Sequence, residues 1–189
     1  MNTNQYYAKA FGNNDYTAES LFYQGICYSY GYGVERDLEK ALDAYRRGAD
    51  LGCSKCKYGL AVLLEKKGGV DGATEAHSLF VEAFPSLHEE ATNGEPESQR
   101  MISCYYLFGN RGIPKDIDKA RKWLEESANR GCIEAQLNLA HCYEKGFGYE
   151  KDLNSAKKWY ASAWKQGSMK GKAKLDFLGG QDEQESFSG

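Results

Sequence analysis

The chain has 189 residues, of which 41% are hydrophobic, enough for the core of one compact domain or one short repeat array. Its net charge is -3 and no block of like charges stands out, which argues against a nucleic-acid partner, since that needs a basic stripe facing phosphates. No apolar run approaches a membrane span, and Met1-Asn2-Thr3-Asn4-Gln5 lacks the basic and apolar regions of a signal peptide, so the expectation is a cytoplasmic protein without membrane insertion.

Residues 5–11 read as a short helix ended by Gly12-Asn13-Asn14, an N-terminal cap. A first full unit follows at about 17–52. Its first helix carries Ser20, Gln24, Gly25 and Tyr28, and the small Gly25 would let a neighbouring helix approach closely. Gly31 and Gly33 supply the turn, and Asp37 is placed to cap a second helix. In that helix Ala41, Ala44, Tyr45, Gly48 and Ala49 fall on one narrow face.

The second unit, 53–94, is degenerate. Cys56, Leu60, Ala61 and Leu64 fill the first-helix slots, but the turn Gly68-Gly69-Val70 is short and has no capping aspartate. Its second helix is expected from near Thr74 to Asn93-Gly94. From Ala76 to Ala91 it carries seven residues more than its counterpart, about two turns, which preserves the helical phase. Pro85 predicts a kink or break between Val81 and Phe84. The face Phe80, Phe84, Leu87 either folds back on the unit's own first helix, the preferred reading, or offers a partner a surface.

The third unit, 95–131, opens on Pro96 and carries Ser98, Ile102, Ser103 and Tyr106, then Ala120, Trp123, Leu124, Ser127 and Ala128. The fourth, 132–167, repeats this with Ala135, Leu139, Ala140 and Tyr143, then Ala156, Trp159, Tyr160, Ala163 and Trp164. A capping helix, 168–178, is expected to stop at Gly179-Gly180, and 181–189 to form a disordered tail. The period is 36–37 residues, and Gly31-Tyr32-Gly33-Val34-Glu35-Arg36-Asp37 returns as Gly146-Phe147-Gly148-Tyr149-Glu150-Lys151-Asp152. Helix pairs at this period must stack into an all-α, α/α superhelical solenoid of about four repeats with terminal capping helices.

The pattern Leu139-Ala140-x-x-Tyr143-x-x-Gly146-x-Gly148, then Lys151-Asp152-x-x-x-Ala156-x-x-Trp159-Tyr160, resembles the Sel-1-like repeat, a relative of the tetratricopeptide repeat. The resemblance covers about 17–178 and is weak in the second unit. It implies a non-catalytic adaptor or scaffold for a protein or peptide partner, often in bacterial signalling, and it carries over no catalytic, cofactor or metal residue. In tetratricopeptide-like arrays the first helices line the concave face. That places Phe22, Ile26 and Ser29, then Tyr58, Val62 and Glu65, then Arg100, Cys104 and Leu107, then Leu137, His141 and Glu144 inward, a strip suited to an extended peptide or a partner helix. For any one of these residues, packing inside a tight superhelix is an equal reading. Some secreted relatives pair a cysteine late in the second helix with one opening the next repeat. Here the late slots hold Ala49, Ala91, Ala128 and Trp164, so that pairing is absent.

Six cysteines could make three bridges by count, but their slots lie too far apart, so all six are expected as free thiols. Only Cys53 and Cys56 can approach. Their lone C-x-x-C at a helix start admits a redox or zinc role, against the preferred reading of two small residues at a helix junction. Ser-x-x-Lys occurs as Ser54/Lys57, Ser155/Lys158 and Ser162/Lys165, the spacing of penicillin-interacting enzymes, without their companion motifs. A hydrolase acting on peptidoglycan or β-lactams through such a site is one rival reading; a structural subunit assembling by repeat stacking is another. His77, His88 and His141 sit on separate elements, the first two on solvated faces. Tyr45, Trp123, Trp159 and Tyr160 are expected in the core.

Overall fold

Asp37, Asp116 and Asp152 each start a helix, their carboxylates accepting from the N–H groups of Glu39 and Lys40, of Lys119, and of Asn154 and Ser155. Each aspartate also donates its own N–H to the carbonyl of the tyrosine closing the preceding helix: Tyr28, Tyr106 and Tyr143, at 2.9–3.0 Å. This double anchorage sets the turn between the two helices of a unit. At its start Gly31 and Gly146 adopt φ of 76° and 74°, a conformation that favours glycine.

The computed structural model describes residues 2–12, 16–109 and 112–186, with 180–186 as backbone alone. Asn13 and Asn14, invoked above, lie outside these, as do residues 187–189 of the expected tail. The described residues form helices only: α1 (Thr3–Phe11), α2 (Ala18–Tyr30), α3 (Leu38–Asp50), α4 (Ser54–Lys67), α5 (Val70–Thr92), α6 (Pro96–Phe108), α7 (Ile117–Asn129), α8 (Ile133–Lys145), α9 (Leu153–Lys165) and α10 (Met169–Ser186). Helices pack pairwise as α2–α3, α4–α5, α6–α7 and α8–α9. Between units the first helices α2, α4, α6 and α8 touch in series, and α1 and α10 cover the ends. This is the all-α repeat solenoid the period predicts. One buried cluster runs through all four units, from Tyr6, Phe22 and Tyr45 through Phe80 and Ile102 to Leu137 and Tyr160. Among the described residues no helix is long and apolar enough to cross a membrane.

Small residues allow the close approach. The Tyr45 ring lies so near α2 that a Cβ on Gly25 would stand 2.2 Å from it, and a Cβ on Gly59 of α4 would stand 2.7 Å from the same ring. Glutamines join the units: the Gln99 and Gln136 side chains donate to the carbonyls of Ala91 and Ala128 near the end of the preceding helix.

Several expectations need correction. The second helix of unit two starts at Val70 rather than near Thr74, because Gly68 and Gly69, both at positive φ, complete the turn alone. Pro85 does not break it. Ala76, Phe80, Ala83, Leu87 and Ala91 are all fully buried, and this continuous face outweighs the single N–H that proline removes. The phase is therefore kept across the added turns, and the Phe80–Leu87 face is core. Gly179 and Gly180 do not stop the last helix, which continues to Ser186; an interior glycine costs only about 1 kcal/mol relative to alanine. Gly12 ends α1 at φ -68°, right-handed, with its N–H on the Ala8 carbonyl as a plain continuation of the helix. Tyr45 and Tyr160 are buried, but Trp123 and Trp159 are only half-buried. His88 is half-buried against Phe84 and Trp123, while His77 is exposed. All six cysteines are free thiols.

Candidate interaction groove

A groove of about 1040 Å³ opens along one side of the first helices α2, α4, α6 and α8. Nine of the twelve inward-assigned residues line it: Ile26, Ser29, Tyr58, Val62, Glu65, Arg100, Cys104, Leu107 and His141. Phe22, Leu137 and Glu144 do not. Phe22 and Leu137 are packed in the core. Glu144 is buried among Tyr160, Lys145 and Lys174, whose donors lie 2.7–3.0 Å from its carboxylate. Burial opposes its charge, but those hydrogen bonds win and hold the carboxyl down at about 2.

Two of the three exceptions have a common origin. Phe22 and Leu137 lie near the starts of α2 and α8, where α1 packs Tyr6 into the same buried cluster. Tyr6 is 1% exposed, and its hydroxyl donates to Glu97 of α6 and lies 3.1 Å from Glu134 of α8. These glutamates are the second residues of their helices in successive units. Arg100 lies 3.3 Å from Glu97. The groove runs from Tyr58 and Arg100, one turn into α4 and α6, toward the C-terminal ends of the first helices and the turns after them.

Those turns contribute residues that the inward assignment missed. Tyr32 and Phe147, each between the two glycines of its turn, line the groove, as do Tyr30, Lys66 and Phe108, two positions after the tyrosine slot. The recurrence of an aromatic between the glycines was a usable signal. Charged groups around the groove are mostly cationic: Arg36, Lys66, Arg100, Lys115 and Lys170, against Glu65 and Glu134. Beneath it Tyr32 Oη lies near the Glu134 carboxyl, both buried from solvent. Burial, then the neighbouring Glu97, raises the Glu134 carboxyl to about 7.

Glu97, Cys132 and Glu134 bring two carboxylates and a thiol within 4.8 Å of one another. Tyr6 and Arg100 already bond this cluster, which ties α1 to two repeats. The Ser-x-x-Lys motif of α4 does not assemble: Ser54 donates to Glu90 at 2.9 Å, and Lys57 bonds Glu82 at 2.8 Å. In α9, Ser155 donates to its own helix cap, Asp152.

The family model "Sel1 repeat" matches residues 18–53, 96–132 and 133–168. The chain belongs to the Sel1 repeat family. The model passes over the second unit, the one without a capping aspartate. Among curated relatives, Chitin synthase regulatory factor 3 of Schizosaccharomyces pombe is 30% identical over 155 residues, 77% of this chain and 15% of the relative. F-box protein At1g70590 of Arabidopsis thaliana is 29% identical over 65% of this chain and 31% of its own. This Sel1 repeat chain thus spans less than a third of either relative, and a bacterial source finds no support in them, since both are eukaryotic. Among solved structures, c5321, a protective antigen of uropathogenic Escherichia coli displaying an SLR fold, is 26% identical with a TM-score of 0.50, covering 94% of this chain and 36% of its own.

Proposed function

We propose that this chain is a non-catalytic adaptor that takes an extended acidic peptide of a partner protein into the groove on its concave face. The observation that carries this reading is the groove itself: aromatic walls, and five cationic side chains against two acidic ones. An extended peptide lies against the aromatic walls, among them Tyr30, Tyr58 and Phe147. Acidic side chains then complement Arg36, Lys66, Lys115 and Lys170 around it. A role in regulating another protein agrees with the description of the fission-yeast relative as a regulatory factor. The engagement of Ser54 and Lys57 with separate glutamates weighs against the hydrolase reading.

The test is selection from a displayed peptide library against the wild-type chain and a Val62→Glu, Leu107→Glu variant of unchanged melting temperature. Acidic peptides that bind the wild type at least tenfold more tightly than the variant are expected. Selected peptides that bind both equally, or that carry no acidic bias, overturn the assignment.

A further inference from the structure

The first helix of every unit begins with a capping residue, and the units differ in what fills that position. Thr17 and Glu95 accept the N–H three residues on through oxygen, as does Ser168 before α10. In unit two the cap is Cys53, whose Sγ accepts from the Cys56 N–H at 3.2 Å. The residue three on is a second cysteine here and Ser20, Ser98, Ala135 or Gly171 elsewhere. Only this unit joins a sulfur cap to a sulfur neighbour.

The two thiols have opposite surroundings. Cys53 is partly exposed, beside the exposed Leu51 and a Gly52 whose missing side chain faces open space. Cys56 is wholly buried. Its Sγ rests against Gly48, where a Cβ would come within 2.3 Å, and donates to the Ala18 carbonyl at 3.6 Å. The Cys56 side chain, then its backbone N–H and the Lys55 ammonium, lower the Cys53 thiol to about 7 despite partial burial. The same contact and burial push the Cys56 thiol upward. Cys132, the other sulfur at a cap position, makes no capping bond; burial, then Glu97 and Glu134, push it well up. It is an inert counterpart within the same chain.

We propose that Cys53 and Cys56 form a redox-active dithiol, with Cys53 attacking low-molecular-weight disulfides of the glutathione class and Cys56 resolving the mixed disulfide. Cys53 Sγ, as the thiolate, attacks one sulfur of the disulfide. The S–S bond breaks, and one thiolate leaves and takes up the proton Cys53 has lost. Cys56, giving its proton to solvent, then attacks Cys53 Sγ and expels the second thiolate, which is protonated. Two protein thiols are oxidised and one disulfide is reduced to two thiols. Positions three apart at a helix start stay inside the roughly 7 Å Cα window that a bridge needs. The helix N-terminus and the adjacent lysine favour the attacking thiolate. Oxidation would draw the Cys56 sulfur off Gly48 and Ala18, so this site reports on the junction between the first two repeats.

The test treats reduced full-length protein with glutathione disulfide at pH 7 and maps the products by mass spectrometry. The wild type is expected to form the Cys53–Cys56 disulfide with no lasting adduct. Cys56→Ser should accumulate one glutathione on Cys53, and Cys53→Ser, which keeps a capping oxygen like that of Ser168, should form neither product. Thiolate fraction and nucleophilicity together predict that Cys53 is alkylated about five- to eight-fold faster at pH 7 than a thiol of ordinary pKa. A Cys56→Ser protein that gathers no adduct, a wild type whose adduct persists, or a Cys104 that reacts ahead of Cys53 would each overturn the assignment.

Discussion

The Tyr45 ring of α3 is held against the backbone of Gly25 in α2, so close that a methyl group at position 25 would stand 2.2 Å from Cε1. Gly59 of α4 crowds the same ring, where a Cβ would stand 2.7 Å from Cε1. Alanine in a helix interior is ordinarily favoured over glycine by about 1 kcal/mol. Gly25→Ala should instead destabilise, by about 1–3 kcal/mol, from overpacking. Urea denaturation reads the sign directly. Unchanged or higher stability would mean that this helix pair is not in close contact, and a Tyr45→Leu background should recover part of the loss.

Tyr6 supplies the hydroxyl that the buried carboxyls of Glu97 and Glu134 share. Tyr6→Phe should cost about 1.5–3 kcal/mol, since it removes a hydrogen bond to charged, buried acceptors. Glu134 adds a pH dependence. Its carboxyl titrates near 7 in the folded chain against an ordinary 4.5, so the folded state holds its proton longer. That contribution is complete below about 4.5, is lost as pH rises through 7, and is flat above. Glu144, held near 2, acts in the opposite sense and only below about 4.5. Thermal melts of Glu134→Gln from pH 5 to 8 should show a flatter profile than the wild type. An unchanged slope would remove Glu134 as its source.

Pro85 sits on the exposed side of α5, opposite the buried Ala83 and Leu87. Pro85→Ala restores an N–H without touching the core, and it should stabilise the chain by up to about 3 kcal/mol. Leu87→Ala should cost about 2–5 kcal/mol. Calorimetric melting of both variants checks the pair. A loss from Pro85→Ala would mean that the proline shapes the helix the chain needs.

The period made most of the fold readable, because each unit repeats one local device. The aspartate that caps the second helix and the tyrosine whose carbonyl it meets recur nine or ten residues apart in units one, three and four. Where the aspartate is missing, the expected helix start was displaced from Val70 to Thr74. The expected break at Pro85 followed local chemistry alone, whereas the buried stripe from Ala76 to Ala91 decides the outcome. The groove was legible to the extent that it depends on one helix: Val62, Cys104 and Leu107 line it as their position implies. Phe22 and Leu137 were misplaced because the tightness of the superhelix is a property of several units together, which no single repeat encodes. The link from Tyr6 to Glu97 and Glu134 is legible only in three dimensions, since 91 and 128 residues separate its members.

The Thr3 N–H donates to the Gln166 carbonyl at 3.0 Å, so the opening helix touches the end of the fourth unit. In an open array each unit answers only to its neighbours, and unfolding can begin at an end and travel inward. Here each end is braced by the other. Fraying of α1 uncovers Glu97 and Glu134 in the third and fourth units, so the units are expected to melt together as one cooperative body. Such a body forms its closing contact across nearly the whole chain, which slows folding relative to a linear stack of the same helices. It also tolerates the insertion of another unit poorly, because the added rotation would carry Thr3 away from Gln166.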